Sequence, residues 1–160
     1  MLSRDTGYQR DYTRDPFTEL GEQYNATGQF LFPVSEKGRD KRLDPGEIVL
    51  GIEGDGTQRA YALAPVGDGV INDRIGETPV VIFSRSDGPS GVAYKPVVEE
   101  QLLTSLFEEG EIHDQQTGST WNMAGQAVAG DLAGSELKPL VTRSTFWFAL
   151  ITAFPDLELY

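Results

Sequence analysis

EIVLGIEGDGTQRAYAL, residues 47–63, is the stretch that decides the fold class. Its two halves, 47–53 and 58–63, are rich in β-branched and aromatic residues and flank Gly54-Asp55-Gly56. Segments of this composition are typical of β-strands, and a short glycine-rich connection containing Asp-Gly is typical of a hairpin turn. The stretch therefore predicts a β-hairpin.

Further strand-like segments lie on both sides of this hairpin. Residues 78–83 form an almost continuous apolar run, which is typical of a strand buried on both faces. Residues 98–107 fit either a helix or a strand, and their β-rich surroundings favour a strand, while Pro96 favours an edge position for the segment 92–98. The other predicted strands are 29–34, 70–73, 111–114, 119–122, 126–129 and 136–141. We expect a mainly β fold, α+β at its margin, built as a compact antiparallel meander, barrel or sandwich.

The two ends of the chain differ from this β-rich middle. Near the C-terminal end, Ser144 or Thr145 can cap an apolar helix that Pro155 terminates, which predicts a helix near 145–154. A helix that is apolar nearly all round must be buried in the domain or pack against a partner, and the second option predicts self-association. Residues 1–28 mix aromatic and polar residues and predict an extended arm before a single domain over 29–160.

Charge and composition exclude several classes of function. The chain has 25 acidic and 13 basic residues, a net charge of −12 and no basic cluster, so nucleic acids and anionic membranes are poor partners. The acidity also fits a halophilic source. Without cysteine there are no disulfides, thiolate metal sites or cysteine nucleophiles. No apolar run is long enough to predict a transmembrane segment.

One group of residues has the spacing of metal ligands. Glu109, Glu111 and His113 alternate along the chain, so a strand would project them from one face, with Asp114 adjacent. Carboxylates and an imidazole in this arrangement can surround a divalent cation, the one cofactor that the sequence suggests. A solvated strand edge with a lone histidine accounts for the same pattern, because acidic clusters are common in an acidic chain.

A second group could form a polar pocket around a Thr-Gly turn. Its members are Asp73, Asp114, Thr117, Ser119, Trp121 and Asn122. The structural interpretation is that Asp114 accepts backbone hydrogen bonds across the turn, that Trp121 anchors the hairpin in the core, and that Asp73 closes another turn. Asp73 and Asp114 could also serve as paired carboxylates of a hydrolase, although their spacing does not bring them together.

Several blocks of residues, in order along nearly the whole chain, resemble the family known as domain of unknown function 3179. They include Ser3-Arg4-Asp5-Thr6-Gly7-Tyr8, Val70-Ile71-Asn72-Asp73, Asp114 with Thr117-Gly118-Ser119 and Trp121, Leu132-Ala133-Gly134, and Phe146-Trp147-Phe148. The chain is similar to the C-terminal unit of longer members, in which a related unit precedes it. The resemblance implies packing against such an upstream unit and an extracytoplasmic setting.

This chain departs from the family at one informative place. The front unit of longer members carries a Cys-Pro-x-Cys motif after the apolar strand, where this chain reads Ser84-Arg85-Ser86-Asp87. A metal or redox role of those cysteines therefore does not carry over. We expect a non-catalytic module of a longer exported or envelope-associated protein that interacts with a ligand or protein partner. The alternative is a metal-binding or hydrolase-like domain that uses Asp73, Glu111, His113 and Asp114.

Overall fold

The computed structural model describes residues 16–30, 33–87 and 90–160. Its helices are α1 (Pro16–Thr27) and α2 (Trp147–Ala153), with a 3-10 turn over Glu36–Arg39. Its strands are β1 (Ile48–Gly54), β2 (Thr57–Ala62), β3 (Gly69–Ile75), β4 (Thr78–Arg85), β5 (Ser90–Lys95), β6 (Val97–Val98), β7 (Gln101–Leu102), β8 (Ser105–Glu108), β9 (Glu111–Asp114), β10 (Thr120–Trp121), β11 (Ala127–Ala129), β12 (Lys138–Pro139), β13 (Thr142–Phe146) and β14 (Glu158–Leu159).

The predicted hairpin at residues 47–63 is formed by β1 and β2. Asp55 and Gly56 connect the strands with φ angles of 52° and 74°, the left-handed conformation that a two-residue hairpin turn requires at both positions. The hairpin lies at the centre of a four-stranded sheet with the order β13-β1-β2-β14. β14 joins this sheet parallel to β2, whereas every other strand pair in the described residues is antiparallel.

The mainly β prediction is confirmed, and the strands form stacked sheets rather than a closed barrel in the described part of the chain. A second sheet has the order β12-β5-β4-β3, and a third has the order β11-β10-β9-β8. β6 and β7 form a separate two-stranded ribbon. The order of layers, from one side of the molecule to the other, is α2, the β1–β2 sheet, the β3–β5 sheet and the β8–β11 sheet, with a hydrophobic cluster between each pair of layers.

β4 is the central strand of this stack. Val80 and Ile82 contribute to the cluster facing β1 and β2, and Val81 and Phe83 contribute to the cluster facing Trp121 of the third sheet. Because alternate side chains of a strand point to opposite faces, an uninterrupted apolar run serves two cores at once. The prediction that 78–83 is buried on both faces is confirmed.

The edges of the second and third sheets are joined by a side chain. The amide of Asn72, on β3, donates a hydrogen bond to the carbonyl oxygen of Ser105 at 2.8 Å and accepts one from the Ser105 amide at 2.8 Å. Ser105 begins β8, the edge strand of the third sheet. The Asn72 side-chain amide thus pairs with the Ser105 backbone as a neighbouring strand would. It satisfies the N–H and C=O groups of Ser105 at the edge of the third sheet.

The N-terminal part of the chain differs from the prediction. The predicted extended arm over 1–28 is wrong for residues 16–27, which form α1, and residues 1–15 lie outside the described residues. Packing of Tyr24 accounts for the helix, because its buried ring contacts the rings of Phe30, Phe146 and Phe148. Only one face of α1 is buried against the domain. Helices often gain their stability from such packing rather than from local propensity.

Two strand expectations also need correction. No strand forms in residues 29, 30, 33 and 34, and the rest of the predicted strand 29–34 lies outside the described residues. β5 is not an edge strand, because β4 pairs with it on one side and β12 on the other. Pro96 is tolerated because it follows the last residue of β5, where its missing N–H removes no hydrogen bond from the sheet.

The C-terminal helix is confirmed, but its predicted cap is wrong. Ser144 and Thr145 pair with β1 as part of β13, so α2 starts only after Phe146, and no side chain caps it. The amide of Trp147 instead donates to the carbonyl oxygen of Glu47 at 2.7 Å. Trp147 is fully buried against β1 and β2, so the apolar face of α2 is covered within the domain. In the described residues, no helix has the length and apolar character to cross a membrane.

Candidate functional site

A cleft of about 400 Å³ lies between the end of β4 and the β8–β11 sheet. Its floor is formed by the buried side chains of Ile112 and Trp121, which also belong to the core cluster of this sheet. Phe107 and Val128 border the cleft and remain 36% and 57% exposed, and the partly buried Met123 also borders it. The volume lies in the range of clefts that bind small molecules.

Part of the polar border of the cleft lies at one end of β4, and Glu111, Thr120 and Asn122 form the rest. Asp68 accepts hydrogen bonds from the amide and hydroxyl of Ser86 at 2.7 and 2.9 Å, and these bonds hold the pKa of Asp68 below its ordinary value. Arg85 precedes Ser86 and shares the strand face of Phe83, which is the face turned towards the cleft. Asp68 and Arg85 therefore place a carboxylate and a guanidinium beside the apolar floor.

Ser84 borders the same cleft, but its side chain belongs to the other face of β4. It pairs with Gly69 and Gly91 and shares the face of Ile82, opposite to Arg85. Its hydroxyl is buried and has no hydrogen-bond partner among the described residues. β4 thus ends with an inward-facing serine in an apolar environment, directly before Arg85.

Asp114, Thr117, Ser119 and Trp121 come together as predicted, but they form a closed cluster rather than a pocket. The carboxylate of Asp114 is 1% exposed and accepts hydrogen bonds from the Thr117 amide at 2.6 Å and the Trp121 indole nitrogen at 3.0 Å. The Ser119 hydroxyl lies 2.7 Å from the Thr117 hydroxyl and accepts a bond from the Leu132 amide at 3.0 Å. Each polar side chain has a structural partner, which leaves no free group for a ligand.

Asn122 and Asp73 lie apart from that cluster. Asn122 holds its own turn, in which its side-chain oxygen accepts hydrogen bonds from the amides of Ala124 and Gln126 at 2.9 and 3.0 Å. Asp73 accepts hydrogen bonds from the Arg59 guanidinium at 2.6 Å and from the Tyr61 hydroxyl at 2.7 Å. Of the six residues of the predicted pocket, Trp121 and Asn122 border the cleft and the other four do not.

The network around Asp73 was not predicted from the sequence, and neither were the Asp68–Ser86 contact and the Asn72–Ser105 bridge. Arg59 also binds Glu158 of β14, so it links β3 to the C-terminal strand. Burial alone would raise the pKa of Asp73, but the hydrogen bonds from Tyr61 and Arg59 outweigh burial and lower it. Burial and the hydrogen bond to Asp73 raise the pKa of Tyr61. In sequence, only the alternation of Arg59 and Tyr61 on a predicted strand hinted at a shared face.

The predicted metal ligands are distributed over different positions. Glu109 lies in the turn between β8 and β9 with a φ of 53°, so it is not on the strand that carries Glu111 and His113. The imidazole Nε2 of His113 is 3.6 Å from Glu111, and its Nδ1 is 3.2 Å from the Thr120 hydroxyl. Asp114 points to the opposite, buried face. Within the three described ranges, no three acidic or histidine side chains are grouped so that they could hold a metal ion.

These features define the class of protein as a mainly β domain of stacked, largely antiparallel sheets with an amphipathic cleft beside the end of β4. The chain belongs to the family described as "Protein of unknown function (DUF3179)", whose sequence profile matches residues 1–157. No curated protein and no solved structure matches the chain.

Proposed function

We propose that the domain is a non-catalytic binding module whose ligand occupies the cleft between β4 and the β8–β11 sheet. The observation that carries this proposal is the pair of exposed apolar side chains, Phe107 and Val128, beside a concave floor of Ile112 and Trp121. Exposed apolar residues that border a cleft are a usual mark of a binding site. A ligand in the cleft would remove them from water.

The hydrogen bonding of the acidic residues supports binding rather than acid–base chemistry. Asp73 is engaged by Arg59 and Tyr61, and Asp114 by Thr117 and Trp121. A general acid or base needs a carboxyl group that can reach a substrate proton. Neither carboxylate borders the cleft, and the two lie in separate hydrogen-bond networks.

The proposal is tested with a neutral apolar probe and matched surface variants. Benzyl alcohol titrated into ¹⁵N-labelled protein should shift the amide resonances of Phe107, Trp121 and Val128. Val128→Ser should weaken the binding about threefold or more, because it removes part of the apolar border. Val141→Ser is the control, since Val141 is 75% exposed and does not border the cleft. Shifts that cluster elsewhere, or equal binding by both variants, would overturn the proposal.

We also propose that the module works in an exported or envelope-associated protein, beside a related unit. The resemblance to the C-terminal unit of longer family members supports this setting. Protease treatment of intact source cells tests it, with antibody detection of the full-length protein. Degradation without lysis, while an internal marker survives, is the expected result, and protection until lysis contradicts the proposal.

A further inference from the structure

We propose that the cleft binds a free apolar amino acid in its zwitterionic form, an inference that rests on the binding function proposed above. The ligand's carboxylate would contact Arg85, its ammonium group would contact Asp68, and its side chain would lie against Phe107, Met123 and Val128. Each of these five residues borders the cleft.

Arg85 is the cleft's available anion-binding group. Within the described residues its guanidinium makes no hydrogen bond, and its nearest ionic partner is the exposed carboxylate of Asp87 at 3.7 Å. A guanidinium has five N–H donors in a planar arrangement that matches both oxygens of a carboxylate. Because Arg85 is half exposed and shares the face of Phe83, these donors can reach an anion at the cleft border.

Asp68 supplies the opposite charge at the same end of β4. Its Oδ1 accepts both hydrogen bonds from Ser86, so Oδ2 keeps its capacity to accept. The positive charge of Arg85 contributes to the lowered pKa of Asp68, and both side chains border the same cleft. A neighbouring positive and negative group favour a ligand whose own charges are one carbon atom apart, as in an α-amino acid, over an extended peptide whose terminal charges are further separated.

The remaining carboxylate at the border, Glu111, is directed elsewhere. Its strand neighbours show that it shares the outer face of β9 with His113, and its carboxylate lies 3.6 Å from the imidazole. Ile112 lies between them and faces the cleft. Glu111 is therefore not one of the two charged groups that the proposed binding mode uses.

The apolar border selects the side chain of the ligand. Phe107 and Val128 are exposed, and Met123 is a flexible side chain that adapts to different apolar shapes. A branched or aromatic side chain would bury these groups, whereas a polar side chain would remove less apolar surface from water. We expect phenylalanine and leucine to bind better than serine or aspartate.

The first experiment compares probes that share one apolar group and differ in charge. Phenylalanine, N-acetylphenylalanine, phenylalaninamide and the dipeptide Phe-Phe are titrated by calorimetry at low and high salt, with benzyl alcohol as the neutral reference. Phenylalanine should bind about tenfold more tightly than either singly charged analogue and than the dipeptide, since each charged hydrogen bond contributes to affinity. Its affinity should fall as salt rises, because the cleft is open to solvent.

The second experiment assigns the charges to residues. Arg85→Gln should weaken phenylalanine binding about tenfold and leave phenylalaninamide unchanged, because phenylalaninamide has no carboxylate. Asp68→Asn should weaken phenylalanine binding about tenfold and leave N-acetylphenylalanine unchanged, because N-acetylphenylalanine has no ammonium group. Asp156→Asn and Arg143→Gln should leave all affinities within about twofold, since neither residue borders the cleft.

The outcomes separate this inference from the binding function itself. Benzyl alcohol binding in the cleft with no gain for phenylalanine would overturn the amino-acid inference and leave the binding module intact. Tighter binding of the dipeptide than of phenylalanine would also overturn it, in favour of a peptide ligand. If none of the probes binds, both proposals fail.

Discussion

Asp114 is the acceptor at the centre of the β9–β10 connection. Asp114→Ala would leave the buried N–H groups of Thr117 and Trp121 without their acceptor. Because unsatisfied buried donors keep their desolvation cost, we expect the free energy of unfolding to fall by about 2–3 kcal/mol in urea titrations. Asp131→Ala, at an exposed position, is the control and should change it by less than about 0.5 kcal/mol. Equal effects of the two variants would refute the role of Asp114.

Asp73 predicts a specific pH dependence of stability. Its pKa is lowered in the folded protein, so the unfolded chain binds the proton more readily. The stabilisation by its carboxylate is therefore complete above the ordinary aspartate pKa of about 4 and is lost as pH falls through the lower folded pKa. At pH 7, Asp73→Asn should be less stable than the wild type by about 1–2 kcal/mol.

The pH profile distinguishes this effect from general destabilisation. The difference between Asp73→Asn and the wild type should shrink as pH falls below about 4. Asp156→Asn, at an exposed position, should follow the wild type at every pH. A difference that stays constant down to pH 2 would show that the Asp73 charge is not responsible.

Ser84 and Ser119 are both buried and predict opposite effects. The Ser84 hydroxyl has no partner, so Ser84→Ala removes a desolvation cost and should raise the free energy of unfolding by about 1 kcal/mol. The Ser119 hydroxyl accepts a hydrogen bond from the Leu132 amide and forms another with the Thr117 hydroxyl. Ser119→Ala should therefore lower the free energy of unfolding by about 1–2 kcal/mol. Chemical denaturation measures both, and destabilisation by Ser84→Ala would reveal a hydrogen bond to that hydroxyl.

Residues bonded within one turn were predictable from sequence, and residues bonded between sheets were not. The Asp114 cluster spans only eight residues, so turn chemistry and the burial of Trp121 were enough to predict a structural role. Asp73 depends on Arg59 and Tyr61, which reach it from a different sheet. No spacing along the chain encodes how two sheets are oriented.

At the scale of elements, the Asn72 bridge predicts coupling between β3 and β8. Asn72→Ala removes both side-chain partners of the Ser105 backbone, so we expect a loss of about 2 kcal/mol in unfolding free energy. Hydrogen exchange should accelerate most at Ser105 and its β8 neighbours, because that edge would lose its cover. Gln101→Ala, at an exposed residue of β7, is the control. Equal acceleration of hydrogen exchange at Ser105 in both variants would contradict a specific bridge from Asn72.

Helices and strands were predicted correctly where their signal is local in sequence, and incorrectly where contacts with distant residues determine the secondary structure. The Asp55-Gly56 turn and the apolar run of β4 contain their own signals, in the left-handed turn residues and the absence of polar interruptions. α1 was missed because Tyr24 gains its burial from Phe146 and Phe148, more than a hundred residues away. The cap of α2 was misplaced because pairing with β1 extends β13 through Thr145.

At the scale of the whole molecule, the two tryptophans test whether the layers unfold together. Trp121 lies in the cluster under the third sheet, and Trp147 lies between α2 and the first sheet. Because β4 contributes to two of the three clusters, we expect one cooperative transition. Trp121→Phe keeps Trp147 as its single tryptophan, and Trp147→Phe keeps Trp121. In each variant, the unfolding midpoint measured by tryptophan fluorescence should coincide with the midpoint measured by circular dichroism. Separate transitions by the two signals would show independent units.

The register of the first sheet has a consequence for how the chain folds. β1 pairs with β13 through contacts such as Ile52 with Thr142, and β2 pairs with β14 through Arg59 with Glu158. The β1–β2 hairpin can form early from local contacts, but both of its neighbours arrive only after some ninety further residues, and such distant pairings slow folding. A chain emerging from the ribosome would therefore display Val49 and Ala60 uncovered for most of its synthesis. We expect chaperone contacts during synthesis to concentrate on this hairpin.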